Sequence, residues 1–153
     1  FLYNESNPSG STSIKIPGMA PGASIMAINP WYFGDMISAW FWAAGLDYNE
    51  NTGGYDYNEW HHADICSNSW GISEYTYGGM ASGSFVLELL ADLLTIPGYF
   101  NSSYPGMVFT VAAGNGGFGY GTLTTPASAS LVISVGASTE WLYWTYYGNY
   151  SRR

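Results

Sequence analysis

Residues 106–117 read GMVFTVAAGNGG. Met107, Val108, Phe109, Thr110, Val111, Ala112 and Ala113 form an almost unbroken apolar run rich in β-branched and aromatic residues, which suits a strand. Its apolar positions do not alternate with polar ones, as expected of a strand covered on both faces in a parallel sheet. The run stops at Gly114-Asn115-Gly116-Gly117, a turn signal. Residues 63–69 and 131–136 read the same way, and so does the short run 23–28, ended by Asn29-Pro30. Between these runs, residues 34–46 place Met36, Ile37, Trp40, Phe41 and Ala44 on one helical stripe. Residues 79–95 carry Phe85, Leu87, Leu89, Leu90, Leu93 and Leu94 and stop at Pro97-Gly98, which predicts a mostly buried helix. Residues 47–60 read as a polar, turn-rich loop. Residues 1–17 read as loop, and 140–153 as an irregular aromatic tail.

The order strand, helix, strand, helix, strand, loop, strand predicts an α/β fold: a doubly wound, mainly parallel sheet with helices on both faces. In such sheets function gathers at the C-terminal strand ends. Here these are Asn29-Pro30-Trp31, Ser69-Trp70-Gly71, Ala113-Gly114-Asn115-Gly116 and Gly136-Ala137-Ser138. An asparagine between glycines after a buried strand is able to aim its amide at a ligand oxygen, because the glycines admit another backbone closely. An ordinary Asn-Gly turn explains the dipeptide more simply.

Composition bounds the function. The 153 residues suffice for about one domain, and 47% hydrophobic residues supply a core. Three Lys and Arg against eleven Asp and Glu give a net charge of −8. Lys15, Arg152 and Arg153 cannot build a phosphate-binding surface, which excludes a nucleic-acid binder. No apolar run reaches membrane-spanning length. No strand leads into a G-x-G-x-x-G or P-loop motif, which disfavours a nucleotide site. A single cysteine, Cys66, excludes an intrachain disulfide framework. Sequons stand at Asn4, Asn101 and Asn149, and the charge-poor surface rich in Tyr, Asn, Ser and Gly points the same way, to a secreted or cell-surface protein.

Four stretches, in order, resemble the subtilisin-like serine proteases, and a short fifth lies after them. Residues 18–29 (GMAPGASIMAIN) resemble the segment after that family's catalytic-histidine helix, and 63–71 (ADICSNSWG) the strand ending in its Ser-x-Gly substrate-binding edge. Residues 106–117 are similar to the strand and turn bearing the oxyanion asparagine. Residues 124–139 (TTPASASLVISVGAST) resemble the Pro-Ala turn and the next core strand, and NYSRR the start of a Phe-Ser-x-x-Gly stretch. The resemblance covers residues 18–139 and implies a three-layer sandwich, of which these residues are the central part. It implies that Asn115 donates its amide to a tetrahedral intermediate. It also implies that Ser69, Trp70 and Gly71 pair with an extended peptide, and that Ala113 and Gly114 line the specificity pocket. The family's Asp, His and Ser motifs are expected outside these residues, so the partners expected are a peptide or protein substrate and the rest of the catalytic domain. The alternative is a triad-less subtilase-like domain in a cell-surface structural or assembly protein.

Other candidates have plainer readings. His61 and His62 precede a strand, away from the expected site, and read as structural. Asp47, Glu50, Asp56 and Glu59 read as a solvated loop, with calcium as the functional alternative. Cys66 reads as a core thiol. Glu88 and Asp92, one turn apart, read as an exposed helix face. The aromatic tail from Trp141 to Tyr147 reads as core or interface.

Overall fold

The computed structural model describes residues 19–30, 32–72, 84–117 and 121–137. The expected loop 1–17, residues 79–80 and 81–83 of the second expected helix and the tail 140–153 lie outside the described residues, as do Asn4 and Asn149.

Helix α1 spans Phe33–Ala43. Asp35 in its first turn accepts a bond from the Tyr32 N–H at 3.1 Å, satisfying a donor that the helix leaves unpaired. A hairpin follows, β1 (Leu46–Asn49) paired antiparallel with β2 (Gly54–Tyr57), where the sequence suggested only a polar loop. Its turn is closed by the Asn49 side chain, which accepts from the Asn51 N–H at 2.9 Å, and by Gly53 at φ +67°. Tyr48 opposite Tyr55 supplies a cross-strand aromatic pair, with ring centroids 5.6 Å apart. A 3-10 turn, Glu59–His61, leads into β3 (Ile65–Asn68), then helix α2 (Val86–Thr95), β4 (Val108–Ala112) and β5 (Ile133–Val135).

Strands β3, β4 and β5 form a parallel sheet in that order. The α/β class and parallel sheet are those expected from sequence. Along the register, Cys66 lies beside Phe109 and Asn68 beside Val111 on one face, where Phe109 and Val111 are buried. That face meets α1 and α2: Trp40 packs edge-on against Phe109 at 5.1 Å, and Leu87, Leu90, Ala91 and Leu94 join the same core. The N-termini of the two helices meet through Phe33 and Phe85, at 5.7 Å. The opposite face, with Ile65, Val108, Ile133 and Val135, is exposed among the described residues.

The expected strand at 23–28 is not one. The segment forms no regular element and pairs with no described strand, and Ile25 is 90% exposed. An apolar run becomes a strand only beside another strand, and no described strand adjoins this one. Glu88 also departs from expectation: it is 0% exposed, not on a solvated face.

Candidate functional site

A pocket of about 790 Å³ opens at the C-terminal ends of the three parallel strands. It gathers Ser69, Trp70, Gly71, Ala113, Gly114 and Asn115, the site positions named from the sequence, with Gly136 and Ala137 from the strand end also marked there. Two long-range constraints shape it. Thr124 N–H donates to the Ala113 carbonyl at 3.1 Å, and Ala113 N–H donates to the Val135 carbonyl at 2.9 Å. Ile72 and Thr125 exchange two backbone bonds of 2.8 and 3.1 Å, an antiparallel bridge outside the main sheet.

Thr124 is the residue that sequence reasoning missed. It lies against both Gly71 and Gly114. A Cβ at Gly114 would approach the Thr124 methyl to 2.6 Å, and one at Gly71 would overlap its hydroxyl. Gly114 also has φ +101°, a conformation costly for any side chain. These two glycines therefore serve close packing and backbone geometry together. The Thr124 hydroxyl is buried and has no hydrogen-bond partner among the described residues. Two glycines facing one threonine was the only sequence signal, and it shows only once the segments are folded together.

Residues 69–71 continue beyond the last paired residue of β3, and among the described residues they make no backbone hydrogen bonds. Trp70 stacks on Trp40 at 5.9 Å, which holds this edge against the core. Trp40 in turn donates from its indole to the Asn68 side chain at 3.1 Å, fixing the residue before Ser69. Asn115 is exposed on the pocket wall, just past β4.

The remaining candidates are engaged elsewhere. His61 is buried, with Nδ1 2.7 Å from the Trp42 carbonyl and Nε2 3.2 Å from Asp47. His62 Nε2 lies 3.2 Å from the Gly106 carbonyl. Asp47 and Asp56 face each other across the hairpin, and each accepts from an asparagine, Asn58 and Asn49 respectively. Among the described residues no cluster of three His, Cys, Asp or Glu side chains is placed to hold a metal. Cys66 receives a contact from the Asn68 amide at 3.3 Å, and burial nonetheless pushes its thiol above the ordinary range. A neutral thiol is a poor nucleophile. The Asn101 amide donates to the Tyr55 carbonyl at 3.0 Å. Among the described residues no helix is long and apolar enough to cross a membrane.

Comparison with known proteins gives the chain's family. A profile described as the subtilase family, peptidase S8, matches residues 2–152. Pyrolysin of Pyrococcus furiosus is 30% identical over 127 residues, which is 83% of this chain and 8% of pyrolysin. The chain thus spans a small part of the length of that relative. No solved structure matches it at the same stringency. On the strength of the profile, the chain belongs to the subtilase family.

Proposed function

We propose that these residues form the substrate cleft and oxyanion side of a secreted or cell-surface serine endopeptidase. The observation that supports this most directly is the meeting of Asn115, the unpaired edge at 69–71 and the pocket beside Ala113 and Gly114 at one end of the sheet. Residues 69–71 take an extended peptide by strand addition, with backbone groups setting its register. Ala113 and Gly114 border the space for the side chain next to the scissile bond, and the orphaned Thr124 hydroxyl offers it one polar contact. The indole of Trp70, stacked on Trp40, gives the groove an apolar border, so the cleft favours apolar side chains.

Asn115 acts electrostatically. As the carbonyl carbon becomes tetrahedral its oxygen gains negative charge, and the side-chain N–H groups of Asn115 meet that charge without reorganising. The nucleophile and base are a serine and a histidine positioned by an aspartate, as in other triads. They are supplied by sequence other than the residues described here.

The test uses the natural protein, purified whole. A fluorophosphonate reagent is expected to label one serine, and a mixture of unstructured peptides is expected to be cut. Absence of both labelling and cleavage would replace this reading with that of a triad-less domain serving assembly at the cell surface.

A further inference from the structure

Glu88 is the one fully buried carboxylate among the described residues, and nothing above gives it a role. It sits in the first turn of α2. One carboxylate oxygen accepts from the Phe85 N–H at 3.0 Å; the other accepts from the hydroxyls of both Thr125 and Ser128. No described cation pairs with it. A buried carboxyl group is costly unless its oxygens are hydrogen-bonded, and three donors meet them here. A helix cap alone needs only the Phe85 contact and could stay at the surface, as Asp35 does on α1. The buried position gains something else: it grips the turn 124–128 at two points. That turn carries Thr124, whose carbonyl accepts from Ala127 at 2.7 Å and whose side chain fills the space between Gly71 and Gly114. Asp92, one turn further along α2, accepts from the Ser130 and Leu131 N–H groups at 3.1 and 2.6 Å and holds the exit of the same segment.

We propose that Glu88 is a positioning residue for substrate selection: through Thr125 and Ser128 it sets where Thr124 stands in the pocket wall. This rests on reading the pocket as a peptide cleft. The contacts act on ground-state fit of the entering side chain, so the signature is in KM and in selectivity rather than in turnover.

The experiment compares the natural protein with Glu88→Gln and Thr125→Val, all normalised by active-site titration. The substrates are peptides that differ only in the side chain entering the pocket. Glu88→Gln is expected to raise KM roughly tenfold with kcat within about threefold, and to change the ranking of the peptides. Thr125→Val keeps the branched shape and removes the hydroxyl, so it remains informative if Glu88→Gln fails to fold. It is expected to shift KM and ranking the same way, and Thr125→Ser to restore both. The double variant is expected to do no more than Glu88→Gln alone, because the Thr125 contact is one of those that the Glu88 carboxyl group makes. Unchanged KM and ranking in Thr125→Val, beside a cleaving parent, would overturn the positioning role and leave the protease reading intact. A parent protein that cuts no peptide would overturn both.

Discussion

The two ends of the parallel sheet are made from opposite materials. Where β3 and β4 begin, the chain crowds rings and titratable groups: His61, His62, Asp47, Tyr57 and Tyr104. Tyr57 and His62 meet at 5.6 Å, His62 and Tyr104 at 5.9 Å, and Tyr104 donates to the Leu94 carbonyl at 2.5 Å. These groups are occupied in holding the hairpin, the end of α2 and the sheet together. Where the same strands finish, residues 69–71, 113–116 and 136–137 carry small side chains apart from Trp70 and Asn115, and there the pocket opens. Side-chain chemistry marks the end that holds the fold together, and exposed backbone marks the end proposed to take substrate. A search for histidines and carboxylates alone leads to the end of the sheet opposite the proposed cleft.

The sharpest way to break this contrast is Asn115→Ala in the natural protein. Removing the oxyanion amide of a subtilisin costs about 10²–10³ in turnover. A loss of that size is expected here, in kcat with unchanged thermal stability, measured by steady-state kinetics and calorimetry. A variant with full turnover would remove the chemical role from the glycine-rich end. The complementary change is His61→Ala at the other end. It removes the imidazole from the Trp42 carbonyl and leaves Asp47 with the Asn58 amide alone, and is expected to lower stability by about 1–3 kcal/mol. Peptide turnover per folded molecule should stay the same; a selective loss of turnover would show that the histidine end takes part in chemistry.

The smallest effect concerns Tyr104. Burial, followed by its neighbours Tyr57 and Cys66, raises this phenol above the ordinary value of 10.0. The folded state therefore holds the proton more tightly than the unfolded state does. Its contribution is fully present below the ordinary tyrosine range and falls away as pH climbs through the alkaline region above it. Tyr104→Phe is expected to lose about 1 kcal/mol at neutral pH and to show a flatter alkaline decline in denaturant midpoint. An equally steep decline in the variant would assign that limb to other groups.

How far the sequence could be read depended on the range of the contacts involved. β4 and the turn after it were legible because an apolar run and a Gly-Asn-Gly-Gly signal are local. Helix α1 was legible from its stripe, with an end a few residues early because Gly45, at φ +71°, turns the chain toward β1. The hairpin was hidden because its pairing uses Asp, Asn and Tyr instead of alternating aliphatics, and its strands are only four residues each. Residues 23–28 misled in the other direction: local strand character was present, but pairing is a property of neighbours. Glu88 misled for a related reason. Its spacing to Asp92 looks like an outward acidic face, and only the fold brings Thr125 and Ser128 onto it. Within the pocket, residues 69–71 and 113–115 were marked by a family pattern, whereas Thr124 became visible only through its fit against two glycines.

The bridge between Ile72 and Thr125 has a consequence for the order of events during folding. Helices and the β1–β2 hairpin close over short stretches of chain, while this bridge joins segments far apart in sequence. Such a contact is rewarded only after a large loop-closure entropy has been met, so it belongs among the last to form. The pocket wall depends on it, and thus the cleft exists only in molecules whose sheet and helices are already in place. On the proposed reading of this pocket as a peptide cleft, that timing is a safeguard: while the chain's own strands are still open to attack, there is no edge on which to hold them.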